Sequence, residues 1–324
     1  GLLSTLAKAI RDKFSFIISP ALSNFGAWLE QLIAESTGKE DKGIVPIHDE
    51  PLGEIVSYSD DRFFVYIRYT DGVDLNQDDK VEALKGAGYP VIQIDVADLI
   101  NLGQEFFRWE IATATAGSLM GINAFDQPNV QESKDYTRSY LEEFEKNRQL
   151  PAESPVVTEG DIRIFVDEVN RQVFEGASTL EQIISAHLNR IQSGDYVAIN
   201  AYVERTPSVH NSFQTIRTMI REAKCVATTL GYGPRLLHST GQLHKGGKNS
   251  GVFIQVTSDA AQDFAITGEP YSFGVLAAAQ ALGDMKSLNS RNRRVIRIHL
   301  GADVEGGLNR VQAAIEGSLV AQKS

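Results

Sequence analysis

Short apolar runs alternate with longer amphipathic stretches along the first half of the chain. The stretches carry apolar residues at helical spacing, and QDDKVEALKGAG closes on a glycine as helices commonly do. The runs are rich in β-branched and aromatic residues, which predicts buried strands in FSFIISP, RFFVYIRY and YPVIQIDV. Strands that alternate with helices predict a parallel sheet covered on both faces.

The second half repeats this alternation after a polar stretch. KNRQLPAESPVVTEGD is polar, contains two prolines and predicts a linker. The strands predicted beyond it are DIRIFVD, DYVAINAYV, GVFIQVT and RRVIRIHL. We therefore predict an α/β protein with a three-layer αβα parallel sheet in residues 1–150, followed by a second α/β unit in residues 151–324.

Composition narrows the class of protein. A net charge of -11 argues against nucleic-acid binding, which normally requires a basic face. The single cysteine, Cys225, allows no internal disulfide; we predict that it is buried in a helix and inert, in a reducing cytoplasm. No apolar run reaches the ~18 residues of a membrane span. The first residues match no signal peptide, and we expect a start inside a longer protein.

The first candidate for chemistry is Glu35 in EQLIAESTGKEDKG. It lies in the last turn of a predicted helix, just before Gly38, where the helix dipole disfavours a negative charge. A carboxylate placed there could act as a general base near neutral pH. The alternative is a solvated helix end with a glycine cap.

The second candidate is Lys134 in GINAFDQPNVQESK. Pro128 fits the first turn of a helix, with Asp126 as its cap. Lys134 falls four residues after Val130 and is predicted on the same inward face. A lysine on such a face either extends its amine to solvent or meets an anion.

The third candidate is the segment LLHSTGQLHKGGKNSG. It contains His238, His244, Lys245 and several glycines, and no acidic residue occurs between Ala223 and Ser258. Flexible backbone and positive charge suit a phosphate, but a mobile basic loop without a ligand fits equally well. We predict no metal site, because the two histidines are six residues apart and no acidic residue is nearby. No dinucleotide motif follows a strand.

Together these segments resemble the phosphoglucose isomerase family. AESTGK is similar to the segment around the family's catalytic glutamate, and Phe106 to Lys134 is similar to a later segment that ends in a catalytic lysine. GYGPRLLHSTGQLHKGG resembles the C-terminal region of a branch in which the isomerase follows a transaldolase in one bifunctional chain. The resemblance spans nearly the whole chain. It implies the sugar-isomerase fold, with a site between two α/β subdomains.

The resemblance implies interconversion of glucose 6-phosphate and fructose 6-phosphate, a step of glycolysis and gluconeogenesis that needs no cofactor. By motif, Glu35 would move the proton between C2 and C1 through an enediolate, and Lys134 would assist at the ring oxygen. The family's ring-opening histidine lies between these two motifs, where this chain offers only a poor match. We expect His238 to take that role from its displaced segment, with His244 as the second candidate. The substrate-binding residues expected alongside are Arg235, Gln127, His244 and Lys245.

Two further departures limit this expectation. The family's phosphate-gripping Ser/Thr-rich loop and enediolate-stabilising arginine have no counterpart here and would precede Gly1. The chain is therefore expected to be the C-terminal part of a longer, cytoplasmic, dimeric enzyme. The alternative is a regulatory module that binds sugar phosphates without converting them. Retention of Glu35 and Lys134 in their motifs favours the enzyme.

Overall fold

A computed structural model describes residues 2–8 and 11–320. Its first unit alternates strands and helices, as predicted. The elements are α1 (Leu2–Lys8), β1 (Lys13–Ile18), α2 (Ser23–Thr37), β2 (Val45–Ile47), β3 (Arg62–Tyr69), α3 (Leu75–Gly86), β4 (Val91–Val96), α4 (Leu102–Met120) and α5 (Pro128–Asn147).

The four strands of this unit form one parallel sheet in the order β2-β1-β3-β4. Side chains of β3 alternate between two faces, as the pleat requires. Phe63 and Val65 pack toward α2 and α4, whereas Phe64 and Tyr66 pack toward α3. Because both faces are covered by helices, the strand is apolar on both sides, and its sequence reads as a continuous apolar run.

The second unit is built in the same way. Its elements are β5 (Val157–Glu159), β6 (Ile162–Phe165), α6 (Glu168–Arg171), α7 (Leu180–Leu188), β7 (Tyr196–Tyr202), α8 (Pro207–Lys224), β8 (Ala227–Tyr232), α9 (Thr240–Gly246), β9 (Gly251–Thr257), α10 (Phe273–Ser290), β10 (Arg294–His299) and α11 (Val304–Val320).

Both units have the same order of parallel strands. The second sheet runs β5-β6-β10-β9-β7-β8, and its four parallel strands read β8-β7-β9-β10 from the far edge. In each unit the first strand therefore lies between the second and the third. The predicted strand DIRIFVD becomes β6, which pairs antiparallel with β5 and β10. The second sheet is thus mixed rather than wholly parallel.

The two units share a hydrophobic core. Ala34 of α2 and Val45 and Ile47 of β2 belong to one buried cluster with residues of the second unit, including Ala198 of β7 and Leu243 of α9. In addition, α5 packs along α10 of the second unit. The boundary at residue 150 stays a prediction, and the two units meet over a packed, apolar surface.

The prediction for Cys225 is wrong. The apolar pattern suggested a helix that continued through VATTL, but α8 ends at Lys224 and β8 begins at Ala227. Cys225 caps α8 in the left-handed conformation, at φ 49°, and is exposed. The strand was missed because its threonines and partly exposed second half interrupt the apolar pattern. The short strand β2 was missed as well.

No helix within residues 2–8 and 11–320 is long and apolar enough to cross a membrane.

Candidate functional site at the junction of the two units

The helix α9 occupies the centre of the junction. All seven of its residues are buried, and it packs against α2, α5 and α10. The sequence predicted a glycine-rich basic loop here, and that prediction is wrong. Glycines are needed for close packing instead: a Cβ at Gly38 would overlap the Cα of Leu243, and one at Gly246 would overlap the side chain of Asn129.

Buried hydrogen bonds join the three segments that carried the family resemblance. The amide nitrogen of Gln242 donates to the carbonyl of Gly38 at 2.9 Å and to Oδ1 of Asn129 at 2.7 Å. Its amide oxygen accepts from the backbone N–H of Asn129 at 2.9 Å. The buried Lys39 ammonium donates to the carbonyl of Asn123 at 2.6 Å. Segments far apart in the chain therefore meet at one place.

The three residues predicted as catalytic lie on elements around α9. Glu35 is half-buried in the last turn of α2 and accepts a hydrogen bond from Gln31 at 3.4 Å. His238 is exposed at the end of a 3-10 turn, Arg235–His238, which packs against both α9 and α5. Within the described ranges, no hydrogen bond or ion pair joins Glu35, Lys134 and His238 to one another.

The inward orientation predicted for Lys134 is wrong. Lys134 is exposed on α5, and the buried face of that helix carries Ser133 and Thr137 beside Val130. The four-residue spacing from Val130 placed Lys134 near the edge of the buried stripe, and a long side chain there reaches solvent. Its catalytic role stays a prediction.

The predicted cap of α5 is also wrong. Gln127 holds the N-cap position, without a side-chain hydrogen bond to the helix, and is exposed. Asp126 instead accepts a hydrogen bond from Asn123 at 2.9 Å and lies 3.2 Å from the ammonium of Lys39. Asp126 therefore fixes the loop before α5 to the end of α2.

His244 and Lys245 face the interior. The His244 ring lies 5.0 Å from the ring of Phe253, and burial, with smaller contributions from Lys245 and Arg293, lowers its pKa to about 3. The Lys245 ammonium forms an ion pair with Asp284 at 2.6 Å, and both side chains are 1% exposed. A substrate has no access to either side chain as folded, which contradicts the expected basic loop. Their role in substrate binding stays a prediction.

Arg235 does reach a position suited to binding. It begins the turn after β8, and its side chain is 54% exposed. One guanidinium nitrogen donates to the carbonyl of Ala27 at 3.0 Å, and another lies 3.8 Å from the carboxylate of Glu30. Arg235 therefore connects the second unit to α2 while keeping donors free toward solvent.

A buried carboxylate at the same junction escaped prediction from the sequence. Glu50 accepts two hydrogen bonds from Arg62, at 2.7 and 3.2 Å, and two from Thr228, at 3.1 Å from the backbone N–H and 2.6 Å from the hydroxyl. Burial alone would raise the pKa of Glu50, but the charge and hydrogen bonds of Arg62 outweigh it and lower the pKa. The sequence signal for such a carboxylate is Arg62, a charged residue at the first position of the apolar strand β3, which requires a buried counter-charge.

One cleft lies away from this junction. It has a volume of about 610 Å³ and is lined by residues that precede strands of both sheets, such as Arg11, Asp61, Asp195 and Val226. Ligands of open α/β sheets bind beyond the carboxyl ends of the strands. The junction beside Arg235, which follows the carboxyl end of β8, therefore remains the better candidate.

Sequence comparison relates the chain to glucose-6-phosphate isomerases, another name for the phosphoglucose isomerases. It is 28% identical to the enzyme of Lactobacillus helveticus, over 36% of this chain and 34% of that protein. The enzyme of Rubrobacter xylanophilus is 32% identical, over 37% and 36%, and a probable enzyme of Methanococcus maripaludis 30%, over 37% and 34%. The predicted resemblance is confirmed, and the chain spans about a third of the length of these relatives.

Comparisons with protein-family models and with solved structures do not extend this result. No protein-family model matches the chain. A hypothetical protein from Thermus thermophilus superposes over 99% of this chain and 81% of its own with a TM-score of 0.37 and 10% identity. The C-terminal domain of glucosamine-fructose-6-phosphate aminotransferase from Francisella tularensis, covering 98% and 86%, gives 0.28 and 10%. Both scores are too low to establish a shared fold.

Proposed function

We propose that this chain forms the C-terminal part of an enzyme that interconverts glucose 6-phosphate and fructose 6-phosphate. The observation that carries this proposal is the similarity to glucose-6-phosphate isomerases, at 28–32% identity over about a third of each relative. The junction supports it, because Gln242 and Lys39 hold the three resembling segments together. By the same resemblance, the enzyme is a cytoplasmic dimer in which a transaldolase precedes the isomerase.

The proposed mechanism moves one proton between the carbons C2 and C1. After the sugar ring opens, the Glu35 carboxylate removes the proton from C2, and an enediolate forms as the C2 electron pair shifts toward the C1 carbonyl. Return of that proton to C1, with a proton transfer between the two oxygens, gives the ketose. Lys134 and His238 would serve ring opening at the ring oxygen. Both side chains are exposed, so a sugar can approach them.

A pair of glutamate variants tests the role of Glu35 in the full-length protein. Glu35→Gln should reduce turnover of fructose 6-phosphate by about 10²–10⁴-fold, the usual contribution of a general base. Glu110→Gln, at an exposed position on α4, serves as the matched control and should leave turnover unchanged. A coupled assay of glucose 6-phosphate formation measures both. Equal activity of the two variants would remove Glu35 from the mechanism.

The alternative function is regulation by sugar-phosphate binding without catalysis. His244 and Lys245 are buried and form part of the packed interior around α9. This arrangement is compatible with either function. Calorimetric binding of glucose 6-phosphate, measured on the same protein as turnover, separates them. Binding without any conversion would support the regulatory module over the enzyme.

A further inference from the structure

A second polar cluster lies where β2 and β8 end. His48 directly follows β2, Arg235 begins the turn after β8, and Glu30 of α2 lies 3.8 Å from Arg235. The ring of His48 packs over Gly26, one helical turn before Glu30, so closely that a Cβ at Gly26 would overlap its Nδ1. The cluster therefore combines residues of both units at the carboxyl ends of two neighbouring edge strands. This is the edge where α/β sheets bind ligands.

Glu30 is buried without a hydrogen bond. Its side chain is 5% exposed, and its nearest recorded partner is Arg235 at 3.8 Å, beyond hydrogen-bond distance. Burial raises the pKa of Glu30 to about 7, although Arg235 and Arg217 act to lower it. A buried carboxylate normally has its oxygens satisfied. This one is left open in the described part of the chain.

His48 is a neutral group that packs one helical turn from Glu30, over Gly26. Burial lowers the pKa of His48 to about 4, so that the imidazole is uncharged at pH 7. No hydrogen bond to either ring nitrogen is recorded within residues 2–8 and 11–320, and the ring is only partly buried. A neutral imidazole offers one donor and one acceptor. Both remain available to a ligand.

The charges facing Glu30 come from three elements and have a positive balance. Arg217 of α8 donates to the carbonyls of His48 and Asp49, at 3.2 and 3.0 Å, and is fully buried. Asp49 is paired with His210 of α8 at 3.1 Å. The remaining cation acting on Glu30 is the exposed Arg235, and Arg205, also exposed, acts on the neighbouring His48. Although α4 and α9 also pack on α2, neither places an ion-pairing side chain on Glu30 in the described ranges.

We propose that this cluster binds a small phosphate-type dianion through Arg235 and His48, and that Glu30 takes up a proton when the anion binds. An anion that approaches Arg235 competes with Glu30 for that guanidinium and adds negative charge beside the carboxylate. Both changes favour the protonated form of Glu30. The protonated carboxyl can in turn donate a hydrogen bond to the anion. The site does not include Glu35, Lys134 or His238, and it shares with the proposed isomerase only Arg235, which the family resemblance also implies in substrate binding. The linked proton uptake by Glu30 goes beyond the proposed isomerisation.

Calorimetry with sulfate tests this proposal on the full chain. Sulfate keeps its charge near pH 7, so proton uptake measured in buffers of different ionisation enthalpy belongs to the protein. We expect wild-type protein to bind sulfate with uptake of about half a proton, because a group with a pKa of about 7 is half protonated there. Glu30→Gln should bind sulfate without that uptake. Uptake that persists in Glu30→Gln would overturn the role of Glu30.

A matched pair of arginine variants tests the binding contact. Arg235→Gln should weaken sulfate binding by about tenfold or more, as expected for loss of a charge-assisted hydrogen bond. Arg171→Gln is the control, because Arg171 is also about half-exposed and lies 3.7 Å from a glutamate, Glu168. Arg235→Lys, which keeps the charge, should retain part of the affinity and shows that the fold is intact. Unchanged affinity in Arg235→Gln would overturn the site.

The source of the dianion is resolved by a second titration. If a phosphorylated sugar is the natural ligand, glucose 6-phosphate should bind more tightly than sulfate and lose its affinity in Arg235→Gln. If free phosphate is the ligand, inorganic phosphate should bind at least as tightly as the sugar phosphate. Because the sulfate titrations report binding and protons without the sugar, their failure would leave the isomerase proposal untouched. Loss of turnover in Glu35→Gln with sulfate binding and proton uptake unchanged would leave this proposal untouched.

Discussion

Two carboxylates at the same junction have opposite environments. Glu50 accepts four hydrogen bonds from Arg62 and Thr228, and its pKa is lowered. Glu30 is buried just as deeply, has only a long ion pair with Arg235, and its pKa is raised to about 7. Burial is common to both, so the charge of Arg62, together with the hydrogen bonds to Glu50, decides the sign of the shift. Glu50 holds the two units together, whereas Glu30 is left able to exchange a proton.

The comparison predicts the largest loss of stability at Glu50. Glu50→Gln leaves the fully buried Arg62 without its counter-charge, and we expect the free energy of unfolding to fall by about 3–5 kcal/mol. Urea denaturation at pH 7 measures it. Glu132→Gln breaks an ion pair with Arg291 whose side chains are 23% and 39% exposed, and should cost less than about 1 kcal/mol. A comparable loss in both variants would show that burial does not distinguish Glu50.

Substitution of Glu30 should raise the free energy of unfolding rather than lower it, and the size of this change should depend on pH. Because its folded pKa is raised from 4.5 to about 7, its contribution to stability is lost as pH rises through that window. Glu30→Gln should therefore be more stable than wild type at pH 8, on the order of 3 kcal/mol at about 1.4 kcal/mol per pKa unit. The gain should disappear below about pH 4.5, the ordinary pKa of the carboxyl. Urea denaturation at both pH values tests this, and an equal difference at both would contradict it.

The smallest of these changes in the free energy of unfolding should come from removing the hydroxyl of Thr228. Thr228→Val keeps the shape but removes the 2.6 Å bond to Glu50 and the 3.2 Å bond from Arg217. We expect a loss of about 2 kcal/mol, since buried polar groups are left unsatisfied. Ionised Glu50 stabilises the folded protein above the ordinary pKa of the carboxyl. In Thr228→Val this stabilisation should be lost at a higher pH than in wild type when the protein is titrated with acid. Thr215→Val, at an exposed position of α8 where the hydroxyl donates only to the carbonyl of Asn211, should stay within about 0.5 kcal/mol.

Much of the fold follows from local pattern. The helices and the long strands are readable from the sequence, and RFFVYIRY and GVFIQVT match β3 and β9 residue for residue. Periodicity is a property of neighbouring residues, so it is readable without the fold. The edge strands β2 and β8 escaped it, because β2 has only three residues and β8 contains threonines and a partly exposed second half. The candidate segments were also visible, and the structure brings them together around α9.

The sequence by itself determined the alternation of strands and helices, the two α/β units and the three segments that resemble the isomerases. Only the tertiary structure decided which of their side chains are accessible. Lys245 is buried against Asp284, Lys134 faces solvent, and Glu50 meets Thr228 across 178 residues of chain. Ionisation of a carboxylate depends on the donors that surround it in space. For Glu50 these donors come from both units, Arg62 of β3 and Thr228 of β8, and no pattern of charges near Glu50 in the sequence predicts them.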